Sequence, residues 1–134
     1  MRRVARGLAL SVPKLSAIFS SPWLRATETA ALLRARFTGV ESVESDALLP
    51  DAEPEALAQC LMDYLAGRPA TPAVSVVGHE PQLSEWVGWC LAGRLSSILE
   101  LRKGGACLMR FADTVGAGQG KLLWLMTPAV LRQL

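Results

Sequence analysis

Val74-Ser75-Val76-Val77-Gly78-His79-Glu80-Pro81 decides how this chain is read. An apolar, β-branched run ends in glycine, the only histidine of the chain follows, and Glu80 leads into a proline. The pattern predicts a strand over 73–77 whose C-terminal tip hands a polar side chain to the start of a helix. Ligands of open α/β sheets bind at such tips, where helix amides converge. A histidine without context is more often a structural or surface residue, and the strand-to-helix corner is what favours a functional one here.

Outward from that stretch, strands and helices alternate. The start, Met1 to Leu10, carries Arg6 and Gly7 inside its would-be apolar run and is followed by Pro13 and Lys14. It reads as a surface helix end, not as a secretion signal. Ser11-Val12-Pro13 marks a turn, and residues 15–19 a short strand. Ser20-Ser21-Pro22 predicts a helix start with Ser at the cap and Pro at the first helical position. The helix is expected to run to about Phe37, with Trp23, Ala26, Ala30, Leu33 and Phe37 on one stripe. An edge strand is expected over 40–43, a loop at Leu48-Leu49-Pro50-Asp51, and a second helix from Pro54 to Gly67 and Pro69. Leu83, Trp86, Val87, Cys90 and Leu91 then make the inward stripe of a helix after Pro81. The tail reads as strands over 98–101, 106–111 and 122–126, the last two antiparallel, with Thr127-Pro128 capping a final helix.

These elements give a single domain over residues 1–134, of α/β class: three layers, α/β/α, around a mixed, mostly parallel sheet. The 134 residues suffice for a real core, and 51% hydrophobic with 19% charged residues argues for an ordered globule. A net charge of +2 gives no reason to expect nucleic acid or a membrane surface as partner. No apolar run reaches spanning length. Cys60, Cys90 and Cys107 sit in apolar patterns without CxxC spacing, as buried free thiols of a reducing cytoplasm do, and one histidine is too few for a usual zinc site. No metal or other cofactor is expected.

Arg25 is the second candidate. In the first turn after Ser20-Ser21-Pro22 its side chain tilts back over the exposed amides, a good oxyanion clamp, although most helical arginines are simply solvated. Arg25 and His79 both follow strands that should be parallel, and so face one sheet edge. Glu28 is placed to hold the guanidinium or to be a plain surface pair. Glu80 complements the dipole of its helix. The Gly116-Ala117-Gly118-Gln119-Gly120-Lys121 loop is not a phosphate loop: Leu122 stands where Ser or Thr is needed and a strand follows. The tryptophans supply core and one or two pocket walls.

Four stretches taken together resemble the histidine phosphatase superfamily, specifically its small phosphohistidine phosphatases of the SixA type. They are Ile18-Phe19-Ser20-Ser21-Pro22-Trp23-Leu24-Arg25-Ala26 with Glu28-Thr29-Ala30, Val76-Val77-Gly78-His79-Glu80-Pro81 with Leu83-Ser84, Leu99 to Gly105, and Leu122 to Leu125. The resemblance implies a phosphoglycerate-mutase-like fold and a phosphate pocket. Arg25 would bind the phosphoryl oxygens, His79 would neutralise charge developing on them, and Ser21 would stand beside them. Asp51 and Glu53, after Pro50, are the weak candidates for a general acid.

Two departures stand out. The family nucleophile is another histidine, in an Arg-His-Gly motif at the tip of an opening strand, and this sequence lacks it; Met1 to Arg6 aligns with the end of the first family helix. Glu28 also stands where the family commonly has Gln. The chain is therefore expected to be an N-terminally truncated domain, first strand missing, with turnover lost or severely impaired. The missing strand would lie between the strand ending at Val77 and the one over 106–111, and its absence would leave two edges open to poor solubility or strand exchange between copies. The function implied is removal of phosphate from a phosphorylated protein histidine, with small phosphoesters as other substrates. The alternatives are a phosphate- or phosphoprotein-binding module and an inactive remnant.

Overall fold

Strand β1 (Ala17–Ser20) lies between β2 (Glu41–Glu44) and β3 (Val74–Val77), and both pairings are parallel. The computed structural model describes residues 1–12, 14–68 and 73–134; the expected turn at Pro13 and helix stop at Pro69 lie outside them. All four residues of β1 are buried, as expected for a strand paired on both edges and covered on both faces. Phe19 and Ala17 face a cluster with Leu57 and Leu61 of helix α3 (Pro54–Leu65) and Trp86, Val87 and Cys90 of α4 (Gln82–Ala92). Ile18 faces the other way, onto Ala5 of α1 (Arg2–Ser11) and Ala30 and Leu33 of α2 (Leu24–Arg34). Two helices thus cover each face of the parallel sheet.

The tail forms an antiparallel pair, β4 (Ala106–Phe111) and β5 (Gly120–Met126), with a register shift between Leu108 and Met109. Thr127 Oγ1 accepts from Val130 N–H to cap α5 (Pro128–Gln133). The pair makes a ribbon of its own: among the described residues β4 bonds only to β5, and β3 only to β1. The two sheets share a core, because Cys107, Met109 and Phe111 of β4 pack on the cluster that holds Phe19 and Trp86. Every residue of β3 is half-buried, although Val74 and Val76 pack on one cluster and Val77 on the other. Exposure that does not alternate along a strand comes from its edge, not from a face.

Several sequence expectations shift. The α2 helix begins at Leu24 with Trp23 at its cap, so Pro22 precedes the cap. Ser21 explains the delay: its Oγ accepts from Trp23 N–H at 3.2 Å, a turn that competes with the helix. The helix ends at Arg34, and a looser turn carries Phe37 into the core. Trp23 leaves the predicted apolar stripe and is 54% exposed. Residues 46–48 form a 3-10 turn where only a loop was expected. The segment over 98–101 is not a strand; Leu101 N–H is bound by Ser84 Oγ, and Ile98 is exposed.

Helices α1 and α5 meet at Gly7, where a Cβ would lie 2.0 Å from the carbonyl oxygen of Leu131. That space admits no side chain without moving backbone. Gly7→Ala is expected to lower stability by about 2 kcal/mol, against a gain of at most ~1 kcal/mol from better helix propensity, in urea unfolding followed by circular dichroism.

Candidate active site

The parallel register aligns Ser20 with Val77, so β1 and β3 end side by side. Ser21 N–H extends the ladder to Val77 C=O at 3.0 Å. One residue beyond Ser20 and two beyond Val77 the two segments meet: His79 Nε2 and Ser21 Oγ are 2.8 Å apart. The imidazole is half-buried and the serine wholly buried. Trp23 completes the corner, its ring centroid 4.9 Å from that of His79 and tilted by 52°. His79 C=O accepts from Leu83 N–H at 2.8 Å, so the backbone that carries the imidazole is also held by the first turn of α4.

The hydroxyl makes this contact independent of charge. Ser21 Oγ already accepts from Trp23 N–H, which leaves its proton free for a neutral Nε2. A charged imidazole reverses the bond and donates from Nε2. In both states Nδ1 has no protein partner among the described residues, and it is the ring nitrogen open to a ligand.

Arg25 is the second residue of α2 and lies at the same edge of the sheet, four residues after Ser21. It is exposed and has neither hydrogen bond nor ion pair among the described residues, where the single ion pair joins Arg68 to Glu41 at 3.9 Å. Glu28 therefore does not hold the guanidinium. Glu80 stands before Pro81, the cap of α4, and is exposed. Of the two acid candidates, Glu53 caps α3 without a side-chain bond and lines a cleft with Pro50, Gln82, Leu83 and Trp86. Asp51 is exposed and does not line that cleft.

Two residues that sequence reasoning passed over tie this edge together. Gln82 Nε2 donates to Leu49 C=O, joining α4 to the loop before α3. Ser84 Oγ accepts Leu101 N–H at 3.1 Å, joining α4 to the segment before β4. Ser84 lies in the first turn of α4 and is 5% exposed, and a buried hydroxyl of this kind needs a hydrogen-bond partner.

The cysteines take no part in this corner. Burial, and then Cys107, pushes the Cys90 thiol from the ordinary 9.0 up to about 12, and burial, then Glu80, pushes Cys107 up to about 11. Protonated thiols are poor nucleophiles.

The sequence matches no family model, and no curated protein matches it. The fold does match solved structures. Over 97% of this chain and 80% of the other, it superposes on the protein histidine phosphatase SixA complexed with tungstate, with a TM-score of 0.76 and 16% identity. Over 95% and 77%, it matches the Agrobacterium tumefaciens protein assigned as the phosphohistidine phosphatase SixA, with a TM-score of 0.66 and 16% identity. Phosphoglycerate mutase from Plasmodium falciparum matches over 67% and 58%, with a TM-score of 0.52 and 18% identity. The chain has the SixA-type histidine phosphatase fold.

Cys90 and Cys107 are expected to resist a thiol reagent such as DTNB at pH 8 until the protein unfolds, by at least about tenfold in rate. Above the ordinary 9.0 the unfolded chain releases protons that the folded state keeps up to about 11 and 12, so stability holds below pH 9 and falls as pH rises through that window. Urea titrations at pH 7, 9 and 10.5 read this directly.

Proposed function

We propose that this chain is a phosphohydrolase-type domain that binds the phosphoryl group of a phosphorylated protein histidine between Arg25 and His79. The observation that carries the reading is the 2.8 Å contact of His79 with Ser21 at the paired tips of β1 and β3. It holds one imidazole nitrogen and leaves the other free, at the edge where Arg25 stands in the first turn of α2. A guanidinium and an imidazole there supply the charge that a phosphoryl group needs as it transfers, without a metal ion. Tungstate, which the solved SixA structure holds, is a tetrahedral dianion of the same kind.

The chemistry asks little of a general acid. Hydrolysis breaks the P–N bond of a phosphoramidate, water adds to phosphorus, and the departing imidazole takes up a proton. Imidazole holds a proton at pKa about 6.5, so it leaves more readily than an alkoxide does. Glu53 and Asp51 stay weak candidates for that reason.

Within the 134 residues His79 is the only imidazole. A side chain that neutralises charge on the phosphoryl oxygens cannot also be the atom that takes the phosphoryl group. The specific reading for residues 1–134 by themselves is therefore binding with turnover lost or severely impaired. A phosphate-binding module is the second reading, favoured by the same residue count. A phosphorylated protein is the expected partner, with a small phosphoester as the alternative. The cytoplasm is the expected compartment; no helix among the described residues is long and apolar enough to cross a membrane.

Inorganic phosphate and tungstate are expected to bind, in a titration followed by the NMR signals of Ser21 and His79, with EDTA without effect. Arg25→Ala should weaken binding about tenfold or more, and Ser21→Ala about fivefold, the loss of one charge-assisted and one ordinary hydrogen bond. Steady turnover of phosphohistidine by these residues alone would overturn the missing-nucleophile reading. Self-association through the open edges of β3 and β4 predicts sedimentation above monomer mass at tens of micromolar, and a monomer with a sharp thermal transition would exclude it.

A further inference from the structure

We infer that the rim around Ser21 and His79 is a docking face for an acidic polypeptide surface, with Trp23 and Leu24 as apolar anchors and Arg102 and Lys103 as the cations that attract it; this rests on the phosphoryl-binding reading above. The basic turn is held at the rim from two sides. Leu101 N–H is bound by Ser84 Oγ in the first turn of α4, the helix that follows His79. On the other side Gly104 packs between α1 and α5: a Cβ there would lie 3.3 Å from Pro128 Cβ and 3.4 Å from Met1 Sδ. Gly105 N–H donates to Arg102 C=O at 2.6 Å and closes the turn, leaving Arg102 and Lys103 exposed at its tip.

Arg2 and Arg3, in the first turn of α1 beside Met1, stand exposed next to the same turn. None of these cations has an ion-pair partner among the described residues. Glu80 and Glu100, the carboxylates nearest in sequence to the site and the turn, are exposed and pair with none of them. The opposite sector of the rim, before α3, carries Asp51 and Glu53 instead. Four exposed cations, Arg2, Arg3, Arg102 and Lys103, thus outnumber the two exposed carboxylates Glu80 and Glu100 on one side of the rim, a local excess that the net charge of +2 hides.

At the start of α2, next to His79, Trp23 is 54% and Leu24 70% exposed. A solvated aromatic and leucine pair at the mouth of an anion site is the composition of an interface centre ringed by charge. Inorganic phosphate covers neither side chain; a folded partner or a peptide covers both.

The test uses three fluorescent peptides. One has a non-hydrolysable phosphohistidine analogue flanked by Asp and Glu, one has the same analogue flanked by Gln and Ser, and one is the acidic peptide without the phosphoryl group. The acidic phosphopeptide is expected to bind about tenfold more tightly than the neutral one at about 20 mM salt, and about equally at about 0.5 M. Arg102→Gln with Lys103→Gln should remove most of that preference, and Leu24→Ser should weaken both phosphopeptides about threefold. Both variants should bind inorganic phosphate as before and keep the parent circular dichroism spectrum. Equal binding of the two phosphopeptides at low salt, or a preference untouched in the double variant, overturns the docking face while phosphate binding stands. Acidic-peptide binding that needs Arg102 and Lys103, with no phosphate binding at all, sinks the phosphoryl site and keeps the face.

Discussion

Everything at the candidate site depends on β1 lying beside β3 in parallel, with Ser20 opposite Val77. Backbone hydrogen bonds set adjacent strands about 4.8 Å apart, and a slip of one residue would turn every side chain to the other face. With that register, the residues that leave the two strands meet as Ser21 and His79. The sheet edge supplies the meeting point and the two helix starts supply the surroundings: Trp23 caps one, and Leu83 N–H in the first turn of the other donates to His79 C=O.

The corner combines two properties that an anion site needs. The imidazole is oriented by a buried hydroxyl that can either donate to Nε2 or accept from it. The guanidinium is the opposite case: Arg25 is exposed and uncommitted to any protein carboxylate among the described residues. A cation already paired within the protein would have to break that pair before it met a ligand.

Most of the corner was legible because its signals are local. A β-branched run with a terminal glycine, a serine pair before a proline, and heptad-like apolar spacing each state a backbone preference within a few residues. The parallel pairing followed from strand and helix alternation, which admits few topologies. Two of the misses share a cause: serine side chains that take backbone N–H groups. Ser21 takes Trp23 N–H and delays α2, and Ser84 takes Leu101 N–H and so keeps residues 98–101 out of any ladder. The first contact is local but competes with a cap the sequence offers equally well, and the second joins residues 17 apart, which no local spacing encodes. Trp23 was misplaced for a related reason. Its helical spacing put it in the apolar stripe, but at the cap its ring lies on His79 instead.

The division of the strands into two sheets has a mechanical consequence. Ser21 and His79 belong to the parallel sheet, whereas Arg102 and Lys103 lead into the ribbon. Within each sheet amide-to-carbonyl bonds act as a ruler. Between β3 and β4 no ladder bond forms among the described residues, and the spacing rests on the packing of Cys107, Met109 and Phe111 on the core beneath α4 and on the bond from Leu101 N–H to Ser84 Oγ. The anion corner is thus fixed by ladder bonds within its own sheet, whereas side chains alone join it to its basic neighbour.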